Sequence, residues 1–229
     1  MPFRKVLKVF KTRNRISLSY ILSYHFNDKI LSKLSGLLNI LSLKPNSINQ
    51  LIKKNKNQIN FCKQSISIDL GCGSFPKNPF KASKVYGVDI REDTNLGVKK
   101  ADILKNGIPF DTNSIDFCTA FDFIEHIPRV QLTNQETKFP FVDFMNEVHR
   151  VLKPNGIFLH QTPAYPSPVA FRDPTHVNII TEETIPHYFC SLYKEVKPSA
   201  SIYGFTGNFI LIDQVWIKNS WIVSIVKAI

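Results

Sequence analysis

Short apolar runs alternate with longer amphipathic segments from Ser65 onward. The strand-length runs are SISIDL, KVYGVDI, SIDFCTAF and IFLHQTP, and the segment FVDFMNEVHRVL before the last of them has helical spacing and ends at KPNG. Strands and helices that take turns along a chain predict a parallel sheet with right-handed crossovers. The pattern therefore predicts a doubly wound α/β domain, with a further short strand just before Asp102.

The C-terminal end of the chain follows a different pattern. NFILIDQVWIK and WIVSIVKAI both have the composition of strands, and only two or three polar residues separate them. So tight a connection predicts antiparallel pairing at one edge of the sheet.

The first 57 residues differ from the rest of the chain in charge. They hold twelve Lys or Arg residues against a single acid, Asp28, whereas residues 58–229 hold seventeen of each sign. The net charge of +11 therefore belongs to a basic helical extension, residues 1–57, that precedes a domain of residues 58–229. Apolar residues at three- and four-residue spacing predict a helix over residues 28–43, ended by Pro45: Ile30, Leu31, Leu34, Leu37, Leu38 and Leu41.

Three roles are open for this basic extension. Packing on the domain as a lid or brace is favoured, because the apolar face of its helix has to be covered. Peripheral attachment to an anionic membrane surface comes second, because basic residues beside an apolar face suit that interface. Nucleic acid binding is disfavoured, because few aromatic residues are interleaved with the charges.

Targeting and redox signals favour a cytoplasmic protein. The start MPFRKVLKVFKTRNR has the basic flank of a signal peptide, but ISLSYILSYHF is too polar to follow it as an apolar core, and no apolar run reaches about 18 residues. The cysteines are far apart and form no CxxC pair, which predicts a reducing compartment and no metal site. Peripheral contact at the inner membrane face is the alternative location.

The stretch SISIDLGCGSFPKNPF contains a glycine turn without the helix that usually follows it. Gly71 and Gly73 allow a tight turn after the first strand, but Pro76 and Pro79 come where a helix should begin. A pyrophosphate needs that helix, because its N-terminal N–H groups and dipole hold the anion. The sequence therefore disfavours a dinucleotide, and it suits a ligand without phosphate, such as a sulfonium nucleoside.

Two acids follow the glycine turn in an order typical of nucleotide sites. Asp89 ends the second strand, where an acid accepts hydrogen bonds from ribose hydroxyls. Asp102 follows the short third strand, where it can accept a hydrogen bond from the exocyclic amine of a base while Ile103 packs on the ring.

Five segments in order resemble the class I S-adenosylmethionine-dependent methyltransferases of the type 11-like group. They are IDLGCG, VYGVDI, ADI, IDFCTAFDFIEHI and EVHRVLKPNGIFLHQTP, and the resemblance covers residues 65–229. It implies a Rossmann-like doubly wound, mostly parallel seven-stranded sheet with the antiparallel pair at its C-terminal edge. S-adenosyl-L-methionine is the cofactor it implies.

The resemblance also implies roles for individual residues. Gly71 and Gly73 would approach the methionine moiety, with Asp69 ordering their turn. Asp89 would bind ribose. The remaining cofactor-binding positions that it implies are Cys72, Ile90, Asp102 and Ile103 around the nucleoside and Phe121 and Asp122 beyond the fourth strand. The shortened, proline-bearing segment after the turn and the missing third glycine, at Pro76, depart from the family pattern.

Candidate catalytic residues follow the fourth and fifth strands. His176 is the first choice for a general base, with Asp173 orienting it, because an imidazole titrates near neutral pH. A turn in which Asp173 bonds to the backbone and His176 is merely packed is the structural alternative. His126, next to Glu125 in FDFIEHI, is a further candidate.

The loop RDPTHVNIITEET resembles that of a methyltransferase subgroup associated with polysaccharide biosynthesis and cell-surface glycans. A small-molecule or glycan hydroxyl is therefore the expected methyl acceptor, by analogy at the level of the fold. Two other hypotheses stay open: a domain without catalytic activity that acts as a membrane-surface partner through residues 1–57, and an RNA methyltransferase.

Overall fold

The computed structural model describes residues 45–92, 94–134, 136–191 and 196–229. The predicted helix over residues 28–43 and most of the basic extension lie outside the described residues. Within them, no helix has the length and apolar character needed to cross a bilayer.

A mixed sheet forms the centre of the domain and confirms the predicted fold. Its strands are β1 (Ile66–Leu70), β2 (Lys84–Asp89), β3 (Val98–Lys100), β4 (Ile115–Phe121), β7 (Leu152–Pro163), β8 (Phe209–Ile217) and β9 (Trp221–Ala228), and a separate short pair is formed by β5 (Gln131–Leu132) and β6 (Thr137–Lys138). The strand order of the sheet is β3-β2-β1-β4-β7-β9-β8. The first five strands in this order run parallel, and β9 lies antiparallel to both β7 and β8.

Among the described residues, the helices are short apart from one. The longest, α3 (Pro140–Val151), begins with Pro140 in its first turn and buries the apolar face that the sequence pattern predicted. The others are α1 (Ile48–Lys54), α2 (Ile103–Asn106), α4 (Val169–Arg172) and α5 (Thr184–Tyr188), and 3-10 turns occupy Thr94–Leu96, Ile124–His126 and Ser199–Tyr203.

The part of the chain that the structure describes has two apolar core clusters. The larger one contains buried residues of α3 and of the sheet, among them Phe144, Met145 and Phe158. The smaller one joins Leu51 of α1 to β-strand residues such as Phe117.

Helix α1 belongs to the same compact unit as the sheet, which spans residues 45–229. Leu51 and Ile52 are buried, and Lys54 forms an ion pair with Asp213 of β8 at 2.7 Å. Charge alone groups these residues with the basic extension, whereas the compact unit that contains the sheet begins at residue 45. Two apolar residues between the polar ones attach the helix.

The parallel strands bring their carboxyl ends to one edge of the sheet. Gly71, Asp89, Phe121 and Pro163 lie at or just after the ends of β1, β2, β4 and β7. Open α/β sheets bind their ligands at this edge.

One buried histidine makes stability depend on pH. His160 of β7 is fully buried, neither ring nitrogen has a hydrogen-bond partner among the described residues, and burial lowers its pKa to about 3. An unfolded histidine titrates near 6.5, so the unfolded state binds more protons below that pH and stability falls as pH falls.

We expect this residue to cost about 2 kcal/mol of unfolding free energy between pH 7 and pH 5. Urea unfolding of wild type and His160→Met at both pH values measures the difference, and the variant should lose that part of the pH dependence. His187→Ala, at an exposed histidine, is the matched control. An equal pH dependence in wild type and His160→Met would contradict the assignment.

Candidate functional site

The glycine turn after β1 requires glycine at both positions. Gly71 and Gly73 have φ angles of 66° and 61°, which side chains disfavour. A Cβ at Gly71 would lie 2.2 Å from the ring of Phe123, whereas the nearest atom to a Cβ at Gly73 is 3.6 Å away. Gly71 therefore also permits close contact with the segment that follows β4.

No helix follows this turn in residues 74–83, as the prolines predicted. Asn78 closes a compact turn instead, because its side chain accepts a hydrogen bond from the Ala82 amide and donates one to the Ala82 carbonyl. The Lys77 amide donates to Asp69 at 2.8 Å. The sequence thus holds the turn through one buried carboxylate rather than through a helix N-terminus.

Asp69 is that buried carboxylate. It accepts hydrogen bonds from the Lys77 amide and from the Thr119 hydroxyl at 2.7 Å, which stabilise the turn from within the sheet. Burial raises its pKa to about 6, and these two hydrogen bonds oppose the shift. The expected role of Asp69 in ordering the turn agrees with these contacts.

Asp89 lies beside the glycine turn with both carboxylate oxygens engaged. One accepts the Gly73 amide at 2.8 Å, and the other accepts the backbone amide and the guanidinium Nε of Arg91, the latter at 2.9 Å. Burial disfavours the ionised form, but the hydrogen bonds from Arg91 and Gly73 outweigh it and hold the pKa of Asp89 below its usual value. The Arg91 side chain is 72% exposed, so it can move away from Asp89 when a ligand hydroxyl arrives.

The residues expected to contact the adenine base differ in their exposure to solvent. Asp102 precedes α2 and pairs with Lys105 at 3.1 Å, and its carboxylate is partly exposed. Ile103 is only 7% exposed and packs in the main core, whereas Ile90 is 68% exposed beside Asp89. Of the two isoleucines expected beside the base, Ile90 therefore faces solvent and Ile103 does not.

Phe121 ends β4 and Asp122 follows it, and both contact residues that are distant in the chain. The ammonium group of Lys77 lies 4.4 Å from the centre of the Phe121 ring. Asp122 has a φ of 50°, and its carboxylate accepts a hydrogen bond from the Trp221 indole at 2.9 Å. Cys72, by contrast, is half-buried, and burial raises its thiol pKa to about 11, so it contributes no thiolate at neutral pH.

The segment after β4 is fastened to the loop after β7. The Glu125 carbonyl accepts hydrogen bonds from the amides of Val177 and Asn178, at 3.0 and 2.9 Å. The Asn178 side chain donates to the Ile124 carbonyl, and Arg129 donates to Asn178 and to the Ile179 carbonyl. Two segments about fifty residues apart in the chain thus form one wall.

The Glu125 side chain points into the protein from this wall. It is 1% exposed. One oxygen, Oε2, accepts the Thr162 hydroxyl at 2.8 Å, and the other, Oε1, has no hydrogen-bond partner among the described residues. Burial raises the pKa of Glu125 to about 7, and nearby Asp122 and Asp173 add to the shift.

Two histidines stand next to Glu125, with ring centres 4.9 Å apart. His176 directs Nδ1 at the Ala170 carbonyl at 3.1 Å, so Nδ1 carries the proton and Nε2 is available. His126 directs Nδ1 at the Thr175 hydroxyl and carbonyl, at 3.0 and 3.3 Å. One potential ligand atom from each of Glu125, His126 and His176 lies within 4.8 Å of the other two.

Asp173 acts on a different histidine from the one expected. Its carboxylate accepts the Thr175 hydroxyl at 2.7 Å and the Thr175 amide at 2.8 Å, which holds its pKa below the usual value. Because the Thr175 hydroxyl proton is used in this way, the same oxygen accepts from His126. Asp173 therefore orients His126 through Thr175, and its contact with His176 is a turn in which the His176 amide donates to the Asp173 carbonyl.

A cavity of about 480 Å³ opens in front of these groups. Its lining includes both histidines and the two ends of the wall: Asp122, Glu125, His126, Pro163, Val169, Arg172, Asp173, Pro174, His176 and Trp221. A second cavity of about 460 Å³, between α2 and α3, shares none of these residues.

Sequence reasoning missed the partners of these groups. Thr162 reaches Glu125 and Thr175 reaches His126 only in the fold, whereas Arg91, two residues after Asp89, turns back on its carboxylate. The neighbouring pair Glu125 and His126 was visible in the sequence, but the approach of His176 from a distant loop was not.

Comparisons with known proteins agree with this architecture. Residues 68–160 match the family model described as "Methyltransferase domain". No curated protein sequence matches the chain.

Solved structures with similar folds share little sequence with the chain. The [4+2]-cyclase SpnF superposes with a TM-score of 0.50 at 12% identity, covering 78% of this chain and 80% of that one. A SAM dependent methyltransferase from Aquifex aeolicus gives 0.48 at 14%, covering 89% and 100%. The PH0226 protein from Pyrococcus horikoshii OT3 gives 0.49 at 17%, covering all of both chains. At 12% identity, the likeness to SpnF shows the fold alone.

The two glycines of the turn should differ in their tolerance of a methyl group. Gly73→Ala meets only the cost of a positive φ, about 1–2 kcal/mol, whereas Gly71→Ala also collides with the Phe123 ring and should lose about 1–3 kcal/mol more. Thermal and urea unfolding measure both losses. Phe123→Ala combined with Gly71→Ala should recover part of the difference, and equal losses in the two single variants would contradict the close contact.

Proposed function

We propose that this chain, in which residues 68–160 match a methyltransferase domain, is a class I S-adenosylmethionine-dependent methyltransferase that methylates a hydroxyl group of a small molecule or glycan. S-adenosylmethionine is the cofactor in this proposal. The observation that carries the proposal is the continuity of two regions: the glycine turn touches Phe123, and the cavity with its two imidazoles begins at the adjacent Asp122.

The residues at the glycine turn fit this cofactor chemically. Asp89 offers carboxylate oxygens to ribose hydroxyls once Arg91 moves aside, and exposed Ile90 offers an apolar surface to adenine. Asp102 is an acceptor for the exocyclic amine. The absence of a helix in residues 74–83 costs nothing for a ligand without phosphate.

The protein contributes mainly alignment to such a reaction. When bound, the cofactor supplies a methyl group on a sulfonium, which an in-line attack removes. Residues that hold the acceptor oxygen in line can supply roughly 7 to 11 kcal/mol of the barrier reduction. The wall of Glu125, Val177 and Asn178 is rigidly hydrogen-bonded, as such positioning requires.

A hydroxyl acceptor also has to lose a proton. The cluster of Glu125, His126 and His176 is the group that activates it, and His176 has a free Nε2 for this purpose because its Nδ1 donates to a carbonyl. Asp173, through Thr175, acts as a positioning residue for His126.

The lining of the cavity favours a polyhydroxylated acceptor. Arg172, Asp173 and Asp122 supply charged hydrogen-bonding groups, and the Trp221 ring is fixed by its bond to Asp122. Such a combination suits sugar hydroxyls and the apolar face of a sugar ring. The resemblance of the DPTH loop to a glycan-associated subgroup, and with it a role in polysaccharide biosynthesis, is consistent with this choice.

The basic extension suits a location at the inner face of a membrane. Its surplus of positive charge would attract anionic lipid and would suit a lipid-linked glycan as acceptor. Residues 58–229 carry equal numbers of acids and bases, so the domain itself provides no net charge for RNA.

Removing the charge of Asp89 should weaken cofactor binding. Asp89→Asn loses a charge-assisted hydrogen bond to ribose, which is worth about 1.5–3 kcal/mol or a tenfold to hundredfold rise in Kd. Calorimetric titration with S-adenosylmethionine measures it. Arg91→Ala should bind at least as tightly as wild type, because it removes a competitor for Asp89. Asp116→Asn is the control, because Asp116 lies near the start of β4, at the opposite edge of the sheet from Asp89. Wild-type affinity in Asp89→Asn would count against the ribose assignment.

Removing the His176 imidazole should slow methyl transfer without weakening cofactor binding. We expect His176→Ala to lower kcat by about 10² to 10⁴-fold. A screen of nucleotide sugars and glycan fragments with radiolabelled S-adenosylmethionine identifies the acceptor and gives the rates. His187→Ala should retain the wild-type rate, and a wild-type kcat in His176→Ala would remove this residue from the reaction.

A further inference from the structure

We propose that Glu125, His126 and His176 form a binding site for a divalent transition-metal ion of the zinc class. One nitrogen or oxygen atom from each side chain lies within 4.8 Å of the other two. Two imidazoles and one carboxylate are a donor set that zinc and ferrous ions use in proteins. The three residues come from the two sides of the hydrogen-bonded wall, so the fold, not the local sequence, assembles them.

The buried Glu125 carboxylate is an independent indication of a ligand. Its residue is 1% exposed, and Oε1 has no hydrogen-bond partner among the described residues. A buried carboxylate oxygen without a partner is unfavourable unless a cation or a proton satisfies it. Glu125 is also among the residues that line the cavity, from which a metal ion would approach it.

The surroundings of the three side chains match those of metal ligands. Metal-binding histidines usually donate their second ring nitrogen to a carbonyl or another acceptor, which fixes the tautomer. His176 Nδ1 has the Ala170 carbonyl and His126 Nδ1 has Thr175, so both Nε2 atoms are left to bind. Thr162 donates to the other oxygen of Glu125.

A metal ion bound by these three side chains would also have room for the acceptor. Three protein ligands leave at least one coordination position open, as in catalytic zinc sites. Ligand atoms around tetrahedral zinc lie about 3.3 Å apart, since each bond is about 2.0–2.1 Å. The three side chains therefore need to close by about 1 Å or a little more, which rotation of partly exposed imidazoles allows.

The site would act on the same hydroxyl as the proposed methyl transfer, and this consequence rests on that proposed function. A hydroxyl bound to the ion would release its proton to solvent more readily, because a divalent cation stabilises the oxyanion that then attacks the methyl group. His176 would then be a ligand, and the cation would replace it as the activating group. Metal binding itself can be measured without the reaction.

The test is titration of the metal-free full chain with Zn²⁺ by calorimetry, and with Co²⁺ by visible absorption. The exposed thiol of Cys62 is changed to serine in every protein, because thiolates bind both ions. We expect one tight site, at least about 100-fold weaker in each of Glu125→Gln, His126→Ala and His176→Ala. His187→Ala, at an exposed histidine outside the cluster, should bind as the Cys62→Ser parent does.

A milder variant separates ligation from loss of fold. Thr175→Val removes the hydroxyl that holds His126 and should weaken metal binding about 10-fold to 100-fold, while unchanged S-adenosylmethionine affinity shows that the domain is intact. The same affinity check applies to the three ligand variants. Absence of a tight site in the parent, or wild-type metal affinity in all three ligand variants, would overturn the metal site and would leave methyl transfer with His176 as base untouched.

Discussion

The hydrogen bonds that the Glu125 carbonyl accepts from Val177 and Asn178 hold the candidate site together. They join the segment that leaves β4 to the loop that follows β7. Together with the hydrogen bonds that Asn178 donates to Ile124 and Arg129 donates to Asn178, they place His126 and His176 on one wall of the cavity. The same residue turns its side chain into the protein beneath the cavity, so the backbone of Glu125 builds the wall and its carboxylate contributes chemistry.

A second constraint is that the turn after β1 is held without a helix. The prolines at 76 and 79 prevent a helix, and a buried carboxylate, Asp69, holds the turn through the Lys77 amide instead. This arrangement presents no helix N-terminus to a diphosphate but still brings Gly71 against Phe123. Cofactor choice and acceptor position are therefore linked, because the turn that suits a sulfonium nucleoside also touches the residues at which the cavity begins.

The sequence predicted the sheet well and the site in part. The hydrophobic pattern located every strand of the large sheet, because buried strands and one amphipathic helix have strong local signals. Asp69, Gly71 and Asp89 lie at or just after strand ends that the fold brings to one edge. Contacts set by distant packing were not predictable: Thr162 donates to Glu125, Thr175 contacts His126, and Ile103 enters the core. The lysines of helix α1 gave no sign that it packs on the sheet. Its attachment depends on Leu51 and Ile52, which are buried against a surface that only the folded sheet provides.

The most direct test of the account is a crystal structure of the chain with S-adenosylhomocysteine. The account predicts that the ribose hydroxyls replace Arg91 on Asp89, that the adenine lies beside Ile90 and Asp102, and that the sulfur faces the cavity in front of Glu125 and His176. A nucleoside bound elsewhere, with the Asp89 and Arg91 pair intact and the sulfur directed away from that cavity, would contradict it.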